Sequence, residues 1–172
     1  NGLYTYTDSL YYLGTKNELF ALPVSSFTWF KKMNCLIVGT KGSGIYLKTK
    51  KGPLRIHEKN GLSSNSVKLV RSRGGEIFAA TDKGLDIIRF SDKGANTFSV
   101  RHIDKNKGLP GNRINDLIVN DSILYAATDK GIAVIDYKDI KKNSVSPKLF
   151  LKSVLINDTH SEIRKEYALA FH

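Results

Sequence analysis

The side chains in this sequence that could do chemistry are few and scattered. His57, His102, His160 and His172 are the candidates for proton transfer or metal ligation. His57 stands beside Glu58 and His102 lies near Asp104, but neither pair belongs to a cluster with metal-ligand spacing. No metal site is therefore expected. No Gly-x-Ser-x-Gly, phosphate-loop or His-Glu-x-x-His pattern occurs, so no catalytic residue and no cofactor are expected. Cys35 is the single cysteine and opens an apolar run, which reads as a buried, inert thiol rather than half of a disulfide. Asn65 and Asn112 recur at equivalent places, where Asn satisfies local backbone groups; contact with a sugar ligand is the sharper alternative. Trp29, followed by Phe30, could stack on a sugar ring if exposed, but reads first as a buried strand residue.

The elements that must position these residues are announced by an internal repeat. Asn60-Gly61-Leu62-Ser63-Ser64-Asn65-Ser66-Val67 followed by Ile77-Phe78-Ala79-Ala80-Thr81-Asp82-Lys83-Gly84-Leu85 matches a second segment without gaps. That segment is Lys107-Gly108-Leu109-Pro110-Gly111-Asn112-Arg113-Ile114, then Leu124-Tyr125-Ala126-Ala127-Thr128-Asp129-Lys130-Gly131-Ile132. Gly61 and Gly108, Asn65 and Asn112, and Gly84 and Gly131 are each 47 residues apart. Weaker copies precede them around Thr40 and Thr15; successive anchoring threonines are spaced 25, 41 and 47. The last two spacings suit a unit of four short strands, and the first is too short for one.

Each unit reads as strands and tight turns. Ile77 to Ala80 is apolar on both faces, as a strand between two neighbouring sheets must be. The alanine pairs Ala79-Ala80 and Ala126-Ala127 allow close approach of sheets. Thr81, Asp82 and Gly84, and in the next copy Thr128, Asp129 and Gly131, read as structural turn residues, with Gly free to take positive φ. A carboxylate repeated once per unit in this way is a turn residue, not a catalyst. No segment holds a helical period, so the fold class expected is all-β.

Composition bounds the partners. At 41% hydrophobic residues the chain can build a core, and no stretch approaches a membrane span of about 20 apolar residues. A net charge of +11, from 27 basic and 16 acidic residues, favours acidic partners. The lysines are dispersed over nearly every turn, which more simply keeps a β-rich protein soluble. The chain opens on Asn1 with no signal-peptide pattern and is expected to be a piece of a longer polypeptide.

The unit Gly61-Leu62-Ser63-Ser64-Asn65-Ser66-Val67 with Thr81-Asp82-Lys83-Gly84-Leu85, and its second copy, resembles the two-component regulator propeller repeat. Where that family has Leu-Trp-Ile-Gly-Thr, this chain has Ile77-Phe78-Ala79-Ala80-Thr81 and Leu124-Tyr125-Ala126-Ala127-Thr128, keeping an aromatic and replacing Gly by Ala. Ser146 to Asp158 resembles the first strand of the immunoglobulin-like domain that follows the last blade in such sensors. The resemblance implies a partial β-propeller of about three four-stranded blades over residues 1–146. Residues 147–172 would begin a truncated β-sandwich domain. It further implies the periplasmic sensor region of a hybrid two-component regulator of Bacteroidetes type, detecting an oligosaccharide and reaching the membrane only through parts outside this chain.

From that reading the fragment is not expected to be an enzyme, although the full-length protein would carry a histidine kinase. The oligosaccharide, acidic if the charge is functional, would be bound by loops between blades, with Asn65, Asn112 and Trp29 as candidate contacts. No nucleic-acid partner is expected. A structural protein-interaction propeller and a propeller enzyme such as a polysaccharide lyase are the alternatives; the latter would need a convergent acid–base set that the sequence does not show. An arc of three blades leaves apolar faces open, so this fragment is expected to be a homo-oligomer, as a consequence of truncation and not as the native sensor's dimer.

Overall fold

The computed structural model describes residues 4–12, 21–49, 52–91, 97–139, 154–156 and 159–161. Among them regular structure is β throughout, apart from single 3₁₀ turns at Lys31–Met33, Glu58–Asn60 and Lys105–Lys107. The chain divides into two compact units, Asn1–Ile140 and Lys141–His172. In the second, β14 (Val154–Ile156) and β15 (Thr159–Ser161) form an antiparallel hairpin; residues 149–153 of the strand expected in the tail lie outside the described residues.

The first unit opens with a hairpin of β1 (Tyr4–Tyr6) and β2 (Leu10–Tyr12). Thr15, the anchor of the short first copy, lies outside the described residues. Three antiparallel meanders follow. The first sheet is β3 (Val24–Phe30), β4 (Cys35–Thr40), β5 (Gly44–Thr49) and β6 (Gly52–Ile56). The second is β7 (Val67–Arg73), β8 (Glu76–Thr81), β9 (Gly84–Phe90) and β10 (Phe98–Ile103). The third is β11 (Ile114–Asn120), β12 (Ile123–Thr128) and β13 (Gly131–Asp136).

The same hairpin closes each meander. The threonine ending the second strand donates its hydroxyl to the carbonyl of the glycine that opens the third: Thr40 to Gly44 at 2.8 Å, Thr81 to Gly84 at 3.2 Å, Thr128 to Gly131 at 2.7 Å. A backbone N–H inside the turn donates to the threonine oxygen in all three. Glycine is required at position 84 twice over. Its φ is +130°, and a Cβ there would sit 2.5 Å from the Ile103 carbonyl oxygen.

The second sheet is packed on both faces, which explains its run of consecutive apolar residues. All six residues of β8 are buried. Ile77 and Ala79, with Val67, Val70, Ile88 and Phe90, meet Phe30, Ile37, Ile45 and Leu47 of the first sheet. Phe78 and Ala80, with Leu85 and Ile87, meet Leu117, Leu124, Ala126 and Ala133 of the third. Each fully buried valine, leucine, isoleucine or phenylalanine among these contributes about 1.5–3 kcal/mol. The sheets thus form a stack with two apolar interfaces and the second sheet in the middle.

The first strands of the three sheets are neighbours. Ser25 Oγ donates to the Val67 carbonyl at 2.6 Å, Ser26 Oγ accepts from the Val70 N–H at 3.2 Å, and Ser72 Oγ donates to the Trp29 carbonyl at 2.7 Å. Between β7 and β11 with the turn that follows it, the pairs are Lys68–Asn115 at 3.0 Å, Arg71–Asp116 at 3.1 Å and Arg73–Asp121 at 2.7 Å. Partner numbers rise together in both sets, so β3, β7 and β11 run in the same sense. Side chains, not a backbone ladder, join them.

Trp29 overturns the expectation of a buried strand residue. It is 53% exposed, on the face of β3 that points away from the second sheet, while its neighbour Phe30 is fully buried on the other face. Cys35 is buried as expected, and burial pushes its thiol pKa up.

Candidate functional site

A register irregularity recurs at the start of every first strand: between Val24 and Ser26, Val67 and Leu69, and Ile114 and Asp116. Such bulges re-aim a side chain out of the sheet alternation. The residues skipped are Ser25, Lys68 and Asn115. Ser25 and Lys68 line a cleft of about 690 Å³ at the starting ends of β3 and β7, and Lys68 reaches across to Asn115.

The cleft has three kinds of wall. Val67, Leu69 and Ile114 supply an apolar floor, of which Val67 and Ile114 are buried. Ser25, Ser66 and Thr81 supply hydroxyls. The rim is charged: Lys41 and Asp82 from the hairpin turns of the first and second sheets, Lys68, and Arg113 from the loop leading into β11. All four are exposed. The side chains of Lys41, Arg113 and Asp82 have no hydrogen-bonding or ionic partner among the described residues. Three cations against one carboxylate, over an apolar and hydroxyl-bearing floor, suit a polyhydroxylated ligand carrying negative charge.

Asn65 and Asn112 flank this rim, each immediately before a lining residue, and both are engaged locally. Asn65 Oδ1 accepts the Glu58 N–H at 3.0 Å and its Nδ2 donates to Glu58 Oε2 at 3.1 Å. Its carbonyl accepts the N–H groups of Gly42 and Gly44 in the first sheet's hairpin. Asn112 Oδ1 accepts the Lys105 N–H at 2.7 Å. Trp29 lies near the far end of β3 and does not line the cleft. Asp82 reaches the rim from its turn, whereas Asp129 lies beside Gly111, where a Cβ would strike its carboxylate.

A second polar cluster was not visible in the sequence. Asp86, fully buried in β9, accepts three hydrogen bonds: Ser63 N–H at 2.9 Å, Ser63 Oγ at 2.7 Å and His102 Nδ1 at 2.8 Å. Ser63 Oγ also lies 2.8 Å from Thr81 Oγ1. His102 turns its other nitrogen toward Asp104 at 3.8 Å. Serine, histidine and aspartate meet here, but the carboxylate stands between the other two. The imidazole does not touch the hydroxyl, which donates to the Asp86 carboxylate instead, so the order is not that of a serine activated by histidine. The cluster clamps the loop before β7 onto β9 and β10. Its one sequence signal was a carboxylate inside the apolar run Leu85-Asp86-Ile87-Ile88, where the next copy has Ala133.

His57 is also structural: its Nδ1 accepts the Lys59 N–H at 3.2 Å and caps a 3₁₀ turn. At the opposite end of the first strands, Lys32, Arg73, Arg89 and Lys138 surround a second cleft with Glu76, Asp121 and Tyr137. Here Arg89 is paired with Glu76, Arg73 with Asp121, and Lys32 donates to the Phe90 carbonyl at 3.0 Å. Burial pushes the Tyr137 phenol pKa up, and its hydroxyl donates to the Asp121 carbonyl. Among the described residues no three His, Cys, Asp or Glu side chains converge as a metal site would require, and no helix is long and apolar enough to cross a membrane. The sequence matches no protein-family model and no curated protein.

Proposed function

We propose that the three stacked sheets are consecutive blades of a β-propeller and that the chain belongs to the extracytoplasmic ligand-sensing region of a hybrid two-component regulator. Its ligand is an acidic oligosaccharide. The resemblance of the repeat carries the sensor assignment. Support for the propeller comes from first strands that lie side by side in one sense while each sheet packs face to face on the next, as blades around an axis do.

One observation carries the ligand class: the cleft at the starting ends of these strands, where Lys41 and Arg113 stand without partners above hydroxyls and apolar side chains. Arginine takes a sugar carboxylate or sulfate in a two-pronged contact, and lysine adds a point charge. The ring faces of the sugar rest on the apolar floor.

Isothermal titration with an oligogalacturonide and with a neutral oligosaccharide of equal length tests this. Binding of the acidic ligand, weakened by salt and by at least tenfold in Lys41→Ala/Arg113→Ala, is expected. Tight, salt-insensitive binding of the neutral glycan would overturn the acidic assignment. Failure to bind any member of a broad glycan array would overturn sensing of sugars in favour of a protein-interaction role.

A further inference from the structure

One carboxylate on the cleft rim does not fit a site built for anions alone. Asp82 stands exposed in a rim it shares with Lys41, Lys68 and Arg113, and it pairs with none of them. Lys68 reaches Asn115 at 3.0 Å, and Lys83, next in the turn, reaches Glu58 at 3.5 Å. Among the described residues nothing occupies the two Asp82 oxygens, so both keep their accepting capacity for a ligand.

The repeat shows why this carboxylate faces the cleft. Its counterpart 47 residues on is Asp129. The two turns dock alike: the Asp82 N–H donates to the Ser66 carbonyl at 3.3 Å and the Asp129 N–H to the Arg113 carbonyl at 3.1 Å. Their side chains part, because Asp129 lies against Gly111, where a Cβ would strike its carboxylate. The residue equivalent to Gly111 is Ser64, which carries that Cβ. Ser64 is buried, and its Oγ accepts the Ser66 N–H at 3.1 Å, which fixes the side chain. It closes to Asp82 the place that Asp129 takes and leaves Asp82 on the cleft rim.

We propose that Asp82 sets the selectivity of the cleft. It accepts hydrogen bonds from free hydroxyls of the ligand while Lys41 and Arg113 hold the ligand's carboxylate, so the cleft takes a uronic-acid glycan and rejects a densely sulfated one. Ser64 is the positioning residue. The inference rests on the acidic-oligosaccharide reading of this cleft and narrows it. An ionised carboxylate accepts through both oxygens and cannot donate, so it needs donors opposite it. A uronic acid keeps its ring hydroxyls free as donors and carries its charge on a separate carbon. Sulfation converts those hydroxyls to esters, which have no proton to give and bring a second anion to Asp82, where like charges repel.

Isothermal titration at physiological salt compares an oligogalacturonide with a fully sulfated maltooligosaccharide of equal length. Asp82→Ala changes an exposed side chain and should move the two affinities in opposite directions, weakening the first by about fivefold or more and strengthening the second by a similar factor. Wild-type preference for the sulfated glycan, a shift of both in the same direction, or a shift of neither overturns the proposal while the acidic reading stands. Wild-type protein that binds neither glycan overturns that reading and this inference with it. Ser64→Gly should reproduce the loss for the oligogalacturonide, and Ser64→Ala, which keeps the Cβ, should bind as wild type does, the fold of each being checked by circular dichroism. Equal affinities for Ser64→Gly and Ser64→Ala overturn the positioning role.

Discussion

Replacing Asp86 by alanine removes a fully buried carboxylate that three donors hold at 2.7–2.9 Å. Hydrogen bonds to a charged group contribute about 1.5–3 kcal/mol each, but the wild-type protein also bears the cost of burying the charge, so the three do not simply add. The partners decide the outcome. Ser63 N–H and the His102 ring stay in place, the first facing a small apolar hole and the second only a distant Asp104. Breaking a buried pair in this way costs about 3–5 kcal/mol. At roughly 2–4 °C per kcal/mol for a chain of this size, the unfolding midpoint should fall by about 6–20 °C. Asp86→Asn keeps the volume and one acceptor oxygen, and should lose about half as much. The assay is thermal unfolding of Asp86→Ala, His102→Ala and the double variant by circular dichroism. The double variant should be little worse than Asp86→Ala, because both substitutions remove the same bond. A midpoint within about 2 °C of wild type for Asp86→Ala, or fully additive single effects, would refute the claim that this cluster holds the loop before β7 to β9 and β10.

Gly84→Ala should destabilise more than Gly52→Ala: both residues have positive φ, costing about 1–3 kcal/mol for any other side chain, but only at position 84 does a Cβ strike a neighbouring carbonyl. Chemical denaturation of the two variants gives the comparison, and equal losses would show that the close approach to Ile103 yields freely. Arg71→Ala and Arg73→Ala break pairs that lie in solvent between β7 and β11 or the turn after it. Each should cost only about 0.2–1 kcal/mol, less in high salt; a loss above 2 kcal/mol would mean these pairs, not the apolar faces, join the second and third sheets. The Cys35 thiol should resist alkylation in the folded protein and react only on unfolding, since burial raises its pKa and shields it. The unfolded thiol ionises first, so this group's contribution to stability is complete below about pH 8 and falls as pH rises through the ordinary thiol pKa. Unfolding midpoints that hold steady from pH 8 to 10 in wild type and Cys35→Ala alike would contradict this.

The hairpin Ala-Ala-Thr-Asp-Lys-Gly could be read from the chain because its causes are local. A glycine at positive φ, a threonine three residues before it and short apolar strands on either side need nothing from elsewhere. The double-sided burial of Ile77 to Ala80 was legible for the same reason: uninterrupted apolar residues in a strand have water on neither face. Sequence alternation reports two faces; it does not say which of them meets a neighbour. Trp29 shows the difference, since its strand is built like β7 but stands at the end of the stack, where nothing among the described residues covers that face. The cleft was invisible for a related reason. Ser25, Lys41, Lys68 and Arg113 belong to different strands and loops, and they converge only because bulged first strands lie side by side in one direction. Asp86 and His102 are 16 residues apart and meet through the register of β9 with β10. Contacts of that kind depend on the order in which sheets pair and stack, a long-range choice made by the burial of whole faces and carried by no single stretch of chain.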